Sequence, residues 1–278
     1  MFQKKFFFKE MSLLEIVEIQ DTSAKLYFKN VPLSTVNAIR RLIISQVTGI
    51  AIVDAKIHQN TSFFYDEDIL SRLSLLPIRQ KVALPMQCHY CKTHCSQCSL
   101  ECNVKCANNT LKRMEVTTSH ITYNCKEMEF LPDIPFLTLR PNEVFEATMW
   151  VKLGNGSIHT KFMPQTSILF KPQPTITMDK TVFSQEQRHI LSKTCPKKIF
   201  DSDLNLVNPE QCTYCEDCTD QIEEWGIPNA IQIQSIPNEY QFELETIDTK
   251  HPIAIVKEAL DIFLKQVNDL LQLVEQQS

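Results

Sequence analysis

Eleven cysteines stand in this chain of 278 residues, six of them between positions 88 and 106, four between 195 and 218, and Cys125 by itself. Segments so rich in thiols have few apolar side chains left for a core of their own, so cross-links or bound metal must hold them. The compartment decides which. From Met1 to Glu10 the chain carries Lys4 and Lys5 and then only Phe6-Phe7-Phe8 before charge returns, too short for the apolar core of a secretory signal. No stretch approaches the ~18 consecutive apolar residues of a membrane span. The expectation is a chain that is not secreted, with reduced thiols that serve as metal ligands.

The two groups differ in spacing. In QCHYCKTHCSQCSLEC the order Cys88-x2-Cys91-x3-Cys95-x2-Cys98 makes two knuckles, the arrangement of a tetrahedral thiolate cage for zinc. A zinc with no open coordination position stabilises a loop and does no chemistry. His89, His94, Cys102 and Cys106 are close enough in sequence to replace one of the four ligands. The second group, Cys212-x2-Cys215-x2-Cys218, begins like a bacterial ferredoxin run, but Ile222 stands where the fourth cysteine would be. Cys195-Pro196 supplies a remote fourth ligand, so Cys195, Cys212, Cys215 and Cys218 can hold one iron–sulfur cluster and not two. A four-cysteine zinc site, or a metal-free fold, fits the same spacing. Cys125 reads as a small core residue.

Composition narrows the function. The net charge of −5 is the wrong sign for a free-standing nucleic-acid binder. With only Gly49, Gly154, Gly156 and Gly226, neither glycine-rich phosphate cradle can be written, and the H-E-x-x-H and G-x-S-x-G signatures are absent too. No catalytic residues are expected.

Periodicity then lays out the elements. Leu13 to Val17 and Ala24 to Phe28 read as two strands. After Pro32, Val36, Ile39, Ile43 and Val47 recur at helical spacing, with Ser34 or Thr35 as the cap and Asn37, Arg40 and Arg41 on the exposed face. By spacing alone Arg40 and Arg41 are a solvated helix face. Ile50 to Ile57 is β-rich, Asp66 to Leu76 forms a helical turn, and Phe145, Ala147, Met149, Val151 and Leu153 alternate up to a hairpin turn at Gly154-Asn155-Gly156. Strands follow at 230–236 and 240–246. From Pro252 a terminal helix repeats apolar residues at Ile253, Val256, Leu260, Phe263, Val267, Leu270 and Val274. That stripe suits the chain's own core and a partner helix equally.

Residues 37–78, NAIRRLIISQVTGIAIVDAKIHQNTSFFYDEDILSRLSLLPI, resemble the alpha-like subunit of multisubunit DNA-dependent RNA polymerases, the family of the archaeal D subunit and the third subunit of eukaryotic polymerase II. The N-A-I-R-R helix, the Asn60-Thr61-Ser62 turn, the Asp66-Glu67 pair and the Arg72-Leu73…Leu76-Pro77 segment stand in that family's order. Gly156-x2-His159-x-Lys161-x2-Pro164 resembles its G-x-x-H-x-K-x-x-P segment, Cys88–Cys98 its zinc loop, and Tyr240 to Leu271 its closing strand and helix. Region 186–236 is similar to the ferredoxin-like third domain of archaeal D subunits and some eukaryotic counterparts, whose cysteines the polymerase II form usually lacks.

The resemblance implies an α+β fold. A discontinuous dimerisation domain, at 1–49 and 228–278, would enclose an inserted, mostly β domain with the zinc loop at 50–185 and a small ferredoxin-like module at 186–227. It further implies a non-catalytic assembly platform. Helix 36–47 and the terminal helix, with Val256, Leu260, Phe263, Val267 and Leu270, would pair with a smaller alpha-like subunit. Asn37, Arg40 and Arg41 would meet the second-largest subunit, and the two largest subunits would assemble on the pair, with little or no direct DNA contact and no membrane. The implied cofactors are zinc and, in the second group, one iron–sulfur cluster or zinc. The setting would be a nucleus, or the cytoplasm of an archaeal cell or a viral factory. A free iron–sulfur redox protein is the competing reading; it leaves the terminal stripe without a partner.

Overall fold

Alternating and helical stretches of the sequence become, in chain order, strands β1 (Leu14–Ile19) and β2 (Ser23–Lys29), helix α1 (Leu33–Ser45), β3 (Thr48–Asn60), α2 (Asp66–Ser74), β4 (Ile78–Gln80), β5 (Leu100–Ala107), β6 (Met114–Thr117), β7 (Ile121–Tyr123), β8 (Met128–Phe130), β9 (Pro135–Leu139), β10 (Val144–Asn155), β11 (Gln165–Met178), α3 (Gln185–Thr194), α4 (Asp217–Glu224), β12 (Ile231–Thr246) and α5 (Pro252–Gln277). The computed structural model describes residues 13–81, 94–95, 98–124, 126 and 128–277. The fold is mixed α+β with antiparallel sheets.

The described chain divides into two units. The larger comprises residues 19–24, 37–168 and 244–277. Its centre is the sheet β3-β10-β5-β7, in which β10 runs antiparallel to β3 and β5. Phe145, Ala147, Met149 and Val151 of β10 all face inward, each at most 1% exposed, as the period of two requires. Ile69 and Leu73 of α2 close over the same core, which the ribbons β4-β8 and β6-β9 extend. The smaller unit comprises residues 13–18, 25–36 and 169–243 and holds most of the sheet β1-β2-β12-β11. Phe28 meets Phe242 edge to face at 5.5 Å. A separate apolar cluster gathers Phe183, Leu191, Ile199, Phe200, Leu204 and Ile222 around helices α3 and α4.

Three local expectations change. Helix α1 begins at Leu33, so Ser34 and Thr35 lie in its first turn; the Thr35 and Val36 amides donate to the Pro32 carbonyl, and neither side chain is the cap. The strands expected at 230–236 and 240–246 are one strand, β12, which passes Pro237 with Asn238 in the left-handed region at φ 60°. Gly154-Asn155-Gly156 is not a hairpin turn, because β10 and the following β11 belong to different sheets. The glycines serve close approach instead. A Cβ on Gly154 would sit 2.7 Å from the Phe162 ring, and one on Gly156 would sit 2.0 Å from the Ile44 carbonyl oxygen.

Candidate assembly face and thiol sites

Val36, Ile39 and Ile43 form the expected buried stripe of α1, and Val47, two residues past the end of the helix, is buried with them, all at most 2% exposed. On its other side Asn37 and Arg40 are half-buried and Arg41 is exposed. Arg40 donates from Nε and Nη2 to Asn37 Oδ1, at 3.1 and 3.0 Å. A guanidinium held by a neutral amide keeps its full charge for another partner. No carboxylate among the described residues reaches ion-pair distance of Arg40 or Arg41.

Helix α5 is fixed at its start. Glu258 accepts from the Thr48 amide and hydroxyl at 2.8 and 2.7 Å and pairs with Lys250, while Ile255, Val256 and Ala259 are buried. Leu260 and Phe263 are half-buried. Beyond them the stripe is in the open: Leu264, Val267, Leu270, Leu271, Leu273 and Val274 are 39–63% exposed. At about 100° per residue, 263, 264, 267, 270, 271 and 274 fall within an arc of about 120°, wide enough for a helix-packing face. Leu264, Leu271 and Leu273 were not among the seam residues read from the three-four alternation; widening that stripe to the whole arc would have found the first two.

The segment around Lys161 is tied to β3. Lys161 Nζ donates to the Ile52 carbonyl at 2.8 Å, and burial lowers its pKa. His159 Nδ1 accepts from the Lys161 amide, and a Cβ on Gly49 would lie 2.1 Å from the Phe162 carbonyl oxygen. The Asn60 turn is equally tied: its Oδ1 accepts from the Ser62 amide and hydroxyl, and its Nδ2 donates to the Phe64 carbonyl and Asp66. Arg72 lies over the Phe64 ring at 4.7 Å.

Of the first thiol group, Cys88 and Cys91 lie outside the described residues, as do His89 and Cys125. Cys95 and Cys98 face each other with Sγ atoms 3.6 Å apart, and the Cys98 and Ser99 amides both donate to the Cys95 carbonyl. Tetrahedral zinc with ~2.3 Å bonds needs an edge of about 3.8 Å, so this pair fits. The candidate replacements are otherwise engaged. His94 stacks on Trp150 at 3.9 Å, with Nδ1 3.2 Å from Asp54 though not aligned for a hydrogen bond. Cys102 and Cys106 point into the core from β5, opposite Met149 and Phe145, and burial pushes the Cys106 thiol up. In a strand, a spacing of four keeps side chains on one face, which here is the core face.

The second group is brought together. Cys195, at the end of α3, and Cys212, Cys215 and Cys218 line one small cavity with Pro196, Ile199 and Ile233. Cys195, Cys212 and Cys218 are buried, Cys215 is exposed. Tyr214 and Glu216, on either side of Cys215, are both left-handed, at φ 56° and 67°, and this folds three thiols of a seven-residue stretch onto one cavity. Burial, followed by the three neighbouring thiols, pushes Cys218 up to about 11. The donor set suits a thiophilic cation, which offsets the crowding of thiolates. Among the described residues no three His, Cys, Asp or Glu side chains converge tightly enough for a single bare ion.

Residues 25–267 match the RNA polymerase Rpb3/Rpb11 dimerisation domain. The chain belongs to that family. Within the Rpb3/Rpb11 family it is 26% identical to the RNA polymerase II subunit rpb3 of Dictyostelium discoideum, over 92% of this chain and 93% of that one. It is 27% identical to subunit 3B of RNA polymerases IV and V of Arabidopsis thaliana (96% and 92%), and 25% identical to the polymerase subunit Rpo3 of Methanosphaera stadtmanae (95% and 99%). The Rpb3/Rpb11 match spans α1, the Asn60 turn, the Lys161 segment and most of α5. Among the described residues no helix is long and apolar enough to cross a membrane.

Proposed function

We propose that this chain is a non-catalytic assembly subunit of a DNA-directed RNA polymerase, pairing with a smaller alpha-like subunit and presenting the pair as a platform for the two largest subunits. The observation that supports this is the second half of α5, where five large apolar side chains, Leu264, Val267, Leu270, Leu271 and Val274, are 39–63% exposed on one helix face. A parallel stripe on a partner helix buries them, and the shape of the seam selects that partner. Asn37, Arg40 and Arg41 then meet the second-largest subunit, which supplies carboxylates that the described residues do not bring to Arg40 or Arg41. Contact with DNA is left to the large subunits, in a nucleus or in the cytoplasm of an archaeal cell or viral factory.

Both thiol groups take metal in this proposal. Cys88, Cys91, Cys95 and Cys98 would hold zinc, and Cys195, Cys212, Cys215 and Cys218 one iron–sulfur cluster or zinc, within a ferredoxin-like module; the first would stabilise a loop and the second would add to the apolar cluster that already holds Cys195, Cys212 and Cys218. Domain limits at 49, 185 and 227 belong to the same proposal. The free redox protein is less well supported, because it gives the open face of α5 no role.

The test is mass spectrometry of what co-purifies with a tagged copy from its own host, under anaerobic conditions and moderate salt, with metal analysis of the same sample. One small partner and two very large subunits are expected. Recovery of the chain alone, coloured and redox-active, overturns the assembly reading.

A further inference from the structure

We propose that Lys171 is the positioning residue of the four-thiol pocket: its ammonium holds the Cys212 arm against β11 and stands as a fixed positive charge beside whatever the thiolates bind. The proposal rests on the reading above that this pocket takes a metal.

Three side chains tie the arm that carries Cys212 and Cys215. Lys171 Nζ donates to the carbonyls of Glu210 and Cys212, at 2.7 and 3.1 Å, gripping the short turn Pro209–Gln211 from both sides. Gln241, from β12, donates to the same Glu210 carbonyl at 3.0 Å and to Gln173 Oε1 at 2.7 Å. Tyr214 donates from its hydroxyl to the Pro172 carbonyl at 3.4 Å. Residues 171–173 thus face the arm along its length. The arm needs such a hold, because each non-glycine residue in the left-handed region costs roughly 1–3 kcal/mol and persists only where its surroundings over-determine it. Tyr214 and Glu216 are two of these.

The charge of Lys171 has a second role. A partly buried ammonium normally sits against a carboxylate; Glu243 and Glu210 act on Lys171 only from a distance, no described carboxylate reaches ion-pair range of it, and it donates to carbonyls alone. A four-thiolate iron–sulfur cube carries surplus negative charge, and so would a dication if the four thiols closed on it more tightly than they stand here. With either occupant Lys171 is a counter-charge alongside Lys197, which lines the cavity itself, and it acts through the Cys212 backbone rather than as a ligand. Such supporting groups typically change metal affinity by about 10–100-fold.

The experiment uses the full chain with Cys95→Ser and Cys98→Ser, which silence the other thiol group, titrated anaerobically with Co2+ alone and, in parallel, with iron and sulfide. Thiolate-to-metal absorption in the parent identifies the occupant class. Lys171→Met is expected to weaken binding about 10-fold or more, Lys171→Arg to restore most of the loss, and Gln241→Leu, which removes hydrogen bonds but no charge, to lose less than Lys171→Met. The thermal midpoints of the metal-free forms should lie within a few degrees of one another. A Lys171→Met chain that binds as tightly as the parent, or an Arg variant that restores nothing, overturns the proposal while the metal reading stands. A parent that takes neither Co2+ nor iron–sulfur overturns both. Should Lys171→Met fail to fold, Lys171→Gln is read in the same way.

Discussion

The two halves of α5 carry one apolar repeat and meet opposite surroundings. Ile255, Val256 and Ala259 are at most 4% exposed and lie beside the Glu258–Thr48 contacts, whereas Leu270, Leu271, Leu273 and Val274 are 55–63% exposed. Periodicity therefore defines a face and leaves open whose core that face joins. What separates the halves is tertiary: Lys250 and Thr48 reach Glu258, whereas the apolar side chains of the last turns stay exposed.

The sharpest way to break this contrast is to put a carboxylate in each half. Ile255→Asp buries an unpaired charge and should cost on the order of 4 kcal/mol or more, so that circular dichroism finds little cooperative unfolding and pairing is lost as a consequence. Leu270→Asp should leave the chain's own melting curve within the range of a surface change, about 0.5 kcal/mol, while weakening heterodimerisation about 100-fold by titration calorimetry. Equal damage to stability from both would show that the exposed half is part of this chain's own fold. Leu260 and Phe263, half-buried at the junction, are poorer sites for the comparison, since a charge there disturbs both functions.

Glu258→Ala tests what fixes the first half. It strands the Thr48 amide and leaves the Lys250 ammonium only the Thr48 carbonyl, and a loss of roughly 1–3 kcal/mol is expected from denaturant unfolding. Lys265→Ala, off the apolar arc, should change neither stability nor pairing beyond about 0.5 kcal/mol; a measurable loss of affinity there would widen the interface beyond the arc proposed.

The same distinction marks what was legible in the sequence. The inward stripes of α1 and β10 were, because local period alone dictates them. The glycines at 154 and 156 were misread, since glycine marks a turn or a close approach with equal ease and the decisive neighbours, Phe162 and Ile44, are remote or in another element. Cys102 and Cys106 resembled spare ligands until β5 placed them on its core face. The thiol pocket was legible from Cys195 and the Cys212–Cys218 spacing, but nothing near Lys171 in the sequence announces its hold on that pocket, because it acts across about forty residues through carbonyl groups that every residue has.

The open half of α5 also sets a condition on supply. A helix end of about four turns, bearing six large apolar side chains, adheres to any similar surface it meets before the right one arrives. On the proposed pairing, synthesis of this chain in excess of its partner would yield aggregates or substrate for proteolysis instead of a reserve, and would tie its abundance to the stoichiometry of that assembly.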